Sequence, residues 1–504
     1  MSLYLSAKKL DLYDGDKKVA VLHHQDASMK GINIGDKVEI ELGDNGEMRK
    51  FNMDVELTES MLNPGQLGIF ADDWEDMGIS EGCILAVTLL EPSPAVAYIR
   101  EKIKGNELSY DKMFAIMQDI SNHKLNEVMA TYFLSAFYTR GFTHKEVYYL
   151  TKAMAETGEI LKFPDRVVAD KHSIGGVGGK GVTPIVVSIA MAAGLLVPNT
   201  STKAITTASA TTDMLEAIMP MSFSKEQLET FAEEIGGFMV WGGGLDLAPA
   251  DDILINVEKP LHLESYDKFT ASIMAKKIAM GVTHLVLDMP KGPGTKVQNE
   301  ADVKIVKQKF EKLASEFGIK IDIVDREVTG IDGNAVGPAL ESREFLYILE
   351  RSEKRSLQLE KLSVTLAGKL MELAEIVGKG NGFAKAMQLL ESGEALKKFL
   401  LVVEKQGGDP QISSDKMTFG EFTQDLVANS DMNISYLNNK EVFRICRALG
   451  APYAKKCGIY FYVKAGDTVK SGQKVATVYA ESQDRLQLGI NVWNKVEVFG
   501  KKNS

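Results

Sequence analysis

The sequence predicts an α/β protein: a mostly parallel sheet domain with a helical bundle domain, plus a small β-rich N-terminal domain and an α+β C-terminal domain. Three observations predict it. Short runs alternating apolar and polar residues fill the first segment, helical periodicity takes over between Ala95 and Lys162, and buried-strand and helical patterns then alternate from Val167 onward. Alternating β and α elements imply a parallel sheet covered on both faces. The predicted domains are residues 1–90, 91–165 (completed by about 247–280), 166–246 with 281–420, and 421–504.

A length of 504 residues is itself enough for several domains. With 45% hydrophobic and 25% charged residues, the composition is that of an ordinary globular protein. The net charge of −11 argues against a broad basic face for nucleic acid, so an anionic ligand must be drawn by a local cluster of cations. Cys83, Cys446 and Cys457 have neither metal-ligand spacing nor the even count of a disulfide framework. The expectation for the chain is no metal site and no cofactor. No signal peptide is recognisable and no apolar run is long enough to span a bilayer. The expectation is a soluble, cytoplasmic protein with small-molecule partners and no nucleic-acid or membrane partner.

In the first domain, strands are predicted at Lys18–His23, Asp36–Leu42, Glu47–Leu57 and Ile84–Leu89, separated by Gly-Asp and Asp-Asn-Gly turns. His23 and His24 read as strand surface, because no carboxylate or Cys partner stands at metal spacing. Glu91-Pro-Ser-Pro94 reads as a linker. Helices follow at Ser109–Asn122, Leu125–Thr139 and Thr143–Glu156, the last opened by a capping-box spacing between Thr143 and Glu146. Phe114, Tyr132, Phe137, Tyr148 and Tyr149 are assigned to the bundle core.

The informative stretch begins with a short buried strand at Arg166–Ala169. Asp170-Lys171-His172-Ser173 follows, then five glycines within seven residues (Gly175, Gly176, Gly178, Gly179 and Gly181). A helix is predicted over Val182–Gly194, with Pro184 tolerated in its first turn. Strand, glycine loop and helix N-terminus bring unbonded N–H groups and the positive end of a helix dipole to one place, which suits an anion. Lys171, Lys180 and Lys203 add charge, and Ser173, Thr183, Ser201 and Thr211 add hydroxyls, so the stretch reads as a phosphate site. The dinucleotide pattern Gly176-x-Gly178-x-x-Gly181 is also satisfied, but Leu195–Ala210 contains no acid to hold a ribose. A P-loop fails at Ile174 and at Gly181.

Downstream, helical pattern spans Leu247–Met280, a second buried strand His284–Asp288 opens into Lys291-Gly-Pro-Gly294-Thr295-Lys296, and Lys304–Phe317, Lys320–Val324 and Glu341–Leu349 read helix, strand, helix. Phe383–Glu404 is helical. Strands are predicted at Gly458–Val463, Lys474–Tyr479 and Val492–Phe499, with Gln483-Asp484-Arg485 in a hairpin-sized gap where a biotinyl carrier would display its Lys.

Asp170-Lys-His-Ser-x-Gly-Gly-Val resembles the signature of the thymidine/pyrimidine-nucleoside phosphorylase family. The spacing of Val197-Pro-x-x-Ser201 to Thr211-x-Asp213, the Trp241–Asp252 run, Ala271–Lys277 and Gly333–Glu341 resemble it too, so the likeness covers roughly residues 90–500. The extra N-terminal segment and Ser-Thr-Lys-Ala-Ile-Thr look most like the nucleoside 5′-monophosphate (AMP) phosphorylases within that family. The resemblance implies a pentosyltransferase and a homodimer or larger assembly, served by the N-terminal domain. It assigns inorganic phosphate to Lys171, Ser173, Gly175, Gly176, Thr183, Ser201 and Thr211. It assigns the nucleotide to Gly176, Thr202, Lys203, Ala204, Ile205, Thr206, Thr207, Ser272, Lys276 and Lys296, with Lys203 where the family has Arg.

For catalysis the resemblance points to Glu264, at the position of an Asp that would protonate a leaving purine, and to His172. Where thymidine phosphorylases carry an Arg that grips the pyrimidine, this chain has Glu258, which counts against thymidine. The implied reaction is AMP plus phosphate giving adenine and ribose 1,5-bisphosphate. Thymidine or pyrimidine-nucleoside phosphorolysis is the alternative, with an NAD(P)-dependent oxidoreductase and a catalytically idle assembly protein as rivals of other classes.

Overall fold

The computed structural model describes residues 2–13, 15, 17–44, 47–204, 207–245, 247–258, 265–292 and 294–501. The chain forms two compact units, Met1–Gly158 with Ala248–Ala271, and Glu159–Leu247 with Ser272–Ser504. No helix among the described residues is long and apolar enough to cross a membrane.

The first unit opens with six strands: β1 (Leu3–Leu10), β2 (Val19–His23), β3 (Lys37–Asp44), β4 (Glu47–Thr58), β5 (Gln66–Phe70) and β6 (Ile84–Leu89). They close into a barrel in the order β1-β5-β2-β4-β3-β6. Alternate residues such as Val38, Ile40, Met53, Val55, Leu67 and Ile69 fill it. β1 and β5 were not evident in the sequence, and only the closed ladder explains them. His23 is not on the strand surface: it is buried, and its ring Nδ1 accepts the Gln25 N–H at 3.2 Å, capping the helix His24–Lys30.

Helices Ala95–Ile103, Tyr110–Ser121, Glu127–Thr139, His144–Glu156 and Pro249–Glu258 complete this unit. Phe133 and Phe137 are core, but Tyr132 is 58% exposed, on the opposite face of its helix. The Thr143–Glu146 capping box forms. Glu146 does more than cap: both its oxygens lie 2.7 Å from Lys102 Nζ, and it accepts the N–H groups of Leu108 and Thr143. Both side chains of this ion pair are buried.

In the second unit, β7 (Ala169–Ser173), β8 (Val197–Ser201), β9 (Gly237–Trp241), β10 (His284–Lys291) and β11 (Lys320–Glu327) are parallel to their neighbours. Their orders are β11-β10-β7 and β8-β9, with a Val168–Leu196 bridge joining β7 to β8. The helix Val182–Ala192, buried on all sides at Ile185, Val186 and Ile189, follows the glycine loop. A helix over Leu357–Leu373, capped by Ser356, was missed in the sequence.

Two elements depart from the sequence reading. The strand expected at Arg166–Ala169 lies at Ala169–Ser173, because the ladder to β10 pairs His284 with Ala169 and Asp288 with Ser173. Polar Asp-Lys-His-Ser can sit on an interior strand because its charges are partnered. The predicted strand Val492–Phe499 is the end of a helix, Gln483–Trp493, followed by a short strand Phe499–Lys501. Ser482 caps that helix, and Leu486 and Ile490 bury one face of it, so Gln483–Arg485 is a helix start and not a hairpin.

Because removing one partner of a buried ion pair strands the other charge, Glu146→Ala should cost the first unit about 3–5 kcal/mol, against about 1 kcal/mol for the cap alone in Thr143→Ala. Urea titration of the two variants checks this; equal shifts in midpoint would mean Lys102 finds water or another acceptor.

Candidate active site

The carboxyl ends of β7, β10 and β11 bring together the charged residues that the sequence placed in a loop. At the root of β7, Asp170 is fully buried and bonded by Lys277 Nζ at 2.5 Å, Asn199 Nδ2 at 2.7 Å and the Lys171 N–H at 2.8 Å. Lys171 is buried next to it, with Nζ 3.1 Å from the Thr183 hydroxyl. Burial, and then the neighbouring ammonium of Lys180, pull its pKa down to about 7. Thr211 Oγ1 donates to the same Thr183 oxygen at 3.4 Å, so Lys171, Thr183 and Thr211 converge. Ser201 ends β8 with its hydroxyl 2.7 Å from that of Thr212.

Ser173 Oγ donates to Asp288 Oδ2 at 2.7 Å and accepts from Lys180 Nζ. Asp288 also takes Arg326 Nε at 2.7 Å, and Arg326 turns its other nitrogens to Asp332, again at 2.7 Å. Although burial opposes it, Lys180 and Arg326 hold the Asp288 carboxyl well below the usual carboxylate range. Asp288, Arg326 and Asp332 were not singled out as site residues. The available signal was charge at the ends of two strands that otherwise read as buried.

His172 is half-buried on β7, and burial followed by Lys277, Lys171, Lys180 and Lys276 lowers its pKa well below the ordinary value. Its imidazole is therefore neutral. Ser272 and Lys276 are buried on the helix Tyr266–Ala279, with Lys276 among the charges acting on His172.

The glycine loop is less open to a ligand than a run of unbonded N–H groups would be. The Gly178 N–H donates to Asn439 Oδ1 at 2.9 Å and the Lys180 N–H to Glu341 Oε2 at 2.8 Å. Glu341 is buried, which pushes its carboxyl up to about 7. Gly176, at φ +87°, could not carry a side chain: a Cβ would stand 3.0 Å from Thr295 Cα. The two glycine loops thus touch, and the Lys296 side chain comes 3.8 Å from the Cβ position of Gly175.

Beyond β8, Asp213 ties the following loop by accepting the N–H groups of Ala204 at 2.7 Å and Ala210 at 3.0 Å. Thr202 and Thr207 are half-buried on it, and the Thr207 carbonyl accepts Arg447 Nη2 at 3.4 Å. Lys203 is exposed, 3.0 Å from Glu216 and 4.2 Å above the Trp241 ring. Glu216 and Asp213 share Lys455, at 2.7 Å and 3.4 Å. Ile205, Thr206 and Glu264 lie outside the described residues. Glu258 faces Lys268 at 3.0 Å, which Asp251 also approaches at 3.1 Å.

Parallel strands ending in a lysine-rich, hydroxyl-lined corner are the arrangement at which α/β enzymes take up anions. Residues 96–158 match the helical bundle domain of a glycosyl transferase family, and residues 433–496 match the pyrimidine nucleoside phosphorylase C-terminal domain. An AMP phosphorylase of Methanococcoides burtonii is 36% identical over 485 residues, 96% of this chain and 94% of the relative. A putative thymidine phosphorylase of Legionella pneumophila is 35% identical over 457 residues, covering 91% and 87%. The crystal structure of anthranilate phosphoribosyltransferase from Thermus thermophilus shares the fold at 18% identity and a TM-score of 0.51, over 61% of this chain and 98% of that one. This chain belongs to the thymidine/pyrimidine-nucleoside phosphorylase family, whose members are pentosyltransferases.

Since Lys171 loses its proton above about pH 7, anion affinity should fall as pH rises. Sulfate, which does not titrate there, should bind about tenfold more weakly per pH unit above that point. Calorimetry across pH checks it, and Lys171→Met should flatten the dependence; a slope that survives assigns the titration to another group, with Glu341 the first to examine.

Proposed function

We propose that this enzyme catalyses phosphorolysis of a nucleoside 5′-monophosphate, AMP plus inorganic phosphate giving adenine and ribose 1,5-bisphosphate. The supporting observation is likeness at near-full length to proteins named AMP phosphorylase, including that of Methanosarcina acetivorans, 36% identical over 486 residues. Inorganic phosphate would occupy the corner of Lys171, Ser173, Thr183, Ser201 and Thr211, and the 5′-phosphate would lie against Lys203 and Lys296. Phosphate then attacks C1′ as the glycosidic bond breaks, through an oxocarbenium-like state that needs no covalent intermediate. Positioning and electrostatic preorganisation carry the rate.

A neutral His172 suits a hydrogen bond to substrate better than delivery of a proton. Glu264 is the proposed acid for the leaving purine. We propose no resident cofactor, a cytoplasmic location and a homo-oligomeric assembly. The second reading, a pyrimidine nucleoside as substrate, is favoured by the likeness to the putative thymidine phosphorylase of Legionella pneumophila.

One panel decides between them: AMP, CMP, UMP, adenosine, thymidine and uridine with phosphate, reading released base. Base release from AMP that ignores omission of phosphate overturns the proposal. A charge-assisted hydrogen bond contributes about 1.5–3 kcal/mol, so Lys203→Ala should raise KM for AMP by about 10- to 100-fold. KM for adenosine should stay within about twofold if the lysine reads only the 5′-phosphate.

A further inference from the structure

The sequence counts Lys180 among the cations of the phosphate stretch, but the family resemblance gives it no ligand role, and its ammonium stands at the Ser173 end of the corner. Its backbone leaves the glycine loop with the N–H fixed on Glu341. The side chain, only 15% exposed, turns back to the end of β7, where Nζ bonds Ser173 Oγ and lies 3.2 Å from Asp288 Oδ2. Those two acceptors take two of the three donors of an ammonium, leaving one. Lys171 and Ser173 alternate on β7 and so share a face of the strand. Of the neighbouring charges, Lys180 lowers the Lys171 pKa most. The two ammonium groups are thus neighbours, Lys171 on the Thr183 hydroxyl and Lys180 on Ser173 and Asp288.

Counter-charge there is short. Asp170 is engaged by Lys277, and Asp332 by Arg326. Asp288, itself shared with Arg326, is the carboxylate beside Lys180, and Lys171 has only Asp288 and the already engaged Asp170 among the acids acting on it. A tetrahedral oxyanion completes such a cluster, because it answers both cations and accepts from the Thr183 and Thr211 hydroxyls as well.

We propose that Lys180 is a direct ligand of the attacking inorganic phosphate, giving its third donor to an oxyanion that Lys171 holds from the other side. Asp288 positions the Lys180 ammonium, and the Arg326–Asp332 pair fixes that carboxylate. The proposal rests on phosphorolysis as the activity. The charges acting on Lys171 come from several neighbouring elements: Lys180 on the loop, Asp288 on β10, Arg326 on β11 and Asp170 on β7.

The test compares full-length wild type, Lys180→Met and Lys180→Arg. Lys180→Met should raise KM for phosphate more than about tenfold while KM for AMP stays within about twofold, and Lys180→Arg should recover most of the loss. The fall of sulfate affinity with pH should also move to higher pH in Lys180→Met, as Lys171 loses the charge that depresses it. An unchanged phosphate KM overturns the proposal. So does a rise of both KM values together with a lower unfolding temperature, since that marks a clamp on Ser173 and nothing more. If wild type releases no base in the presence of phosphate, it is the phosphorolysis reading that fails. Sulfate calorimetry then still tests the residue, and equal affinity for wild type and Lys180→Met overturns it.

Discussion

The carboxylate of Asp288 is the constraint on which the site depends. It has no exposed surface, and four donors reach it: the Ser173 hydroxyl, the Lys180 ammonium and two nitrogens of Arg326. Taking a carboxylate out of water costs several kcal/mol unless charge and hydrogen bonds replace the lost solvent. Here the replacement comes from groups on β7, the glycine loop and β11, so satisfying one buried charge fixes the relative positions of three segments. Asp170 does the same one strand over, with Lys277 and Asn199. The cations are thereby held at a set spacing, which is what electrostatic preorganisation requires.

A second consequence concerns the C-terminal segment. Asn439 caps the Gly178 N–H, Arg447 reaches the Thr207 carbonyl, and Lys455 divides itself between Asp213 and Glu216. Asp213 in turn pins both ends of the loop that carries Lys203. The C-terminal segment therefore holds the glycine loop and the loop after β8, and a change far along the chain can loosen two loops built from residues near its middle.

How much of this was legible in the sequence follows from which interactions are local. The capping box at Thr143 was readable, because helix starts are written within four residues. So were the strand Ile84–Leu89 and the helix beginning at Val182. The register of β7 was not. Asp-Lys-His-Ser is a poor strand by propensity, and only its partners on β10 and on the helix Tyr266–Ala279, more than a hundred residues away, make it one. For the same reason Lys171, Ser173 and Thr183 could be named as a group from their spacing, while Asp288, Arg326 and Glu341 could not. Nothing near them in the chain says which charge they answer. The tail helix Gln483–Trp493 was hidden differently: Val492 and the residues after it alternate like a strand, but Ser482 starts a helix ten residues earlier.

The ion pairs also revise the case on substrate choice. From the sequence, Glu258 argued against a pyrimidine through repulsion between a carboxylate and a base carbonyl. In the folded protein that carboxylate faces Lys268, a buried ammonium that Asp251 also approaches, and the two acids keep Lys268 charged against the effect of burial. A carboxylate so compensated projects little field toward a base. What remains of the argument is the missing guanidinium: without Arg there is no planar pair of donors to grip a pyrimidine edge. Under the proposed reading, the Lys203 ammonium, steadied over Trp241 and beside Glu216, would answer a 5′-phosphate more than a bare hydroxyl.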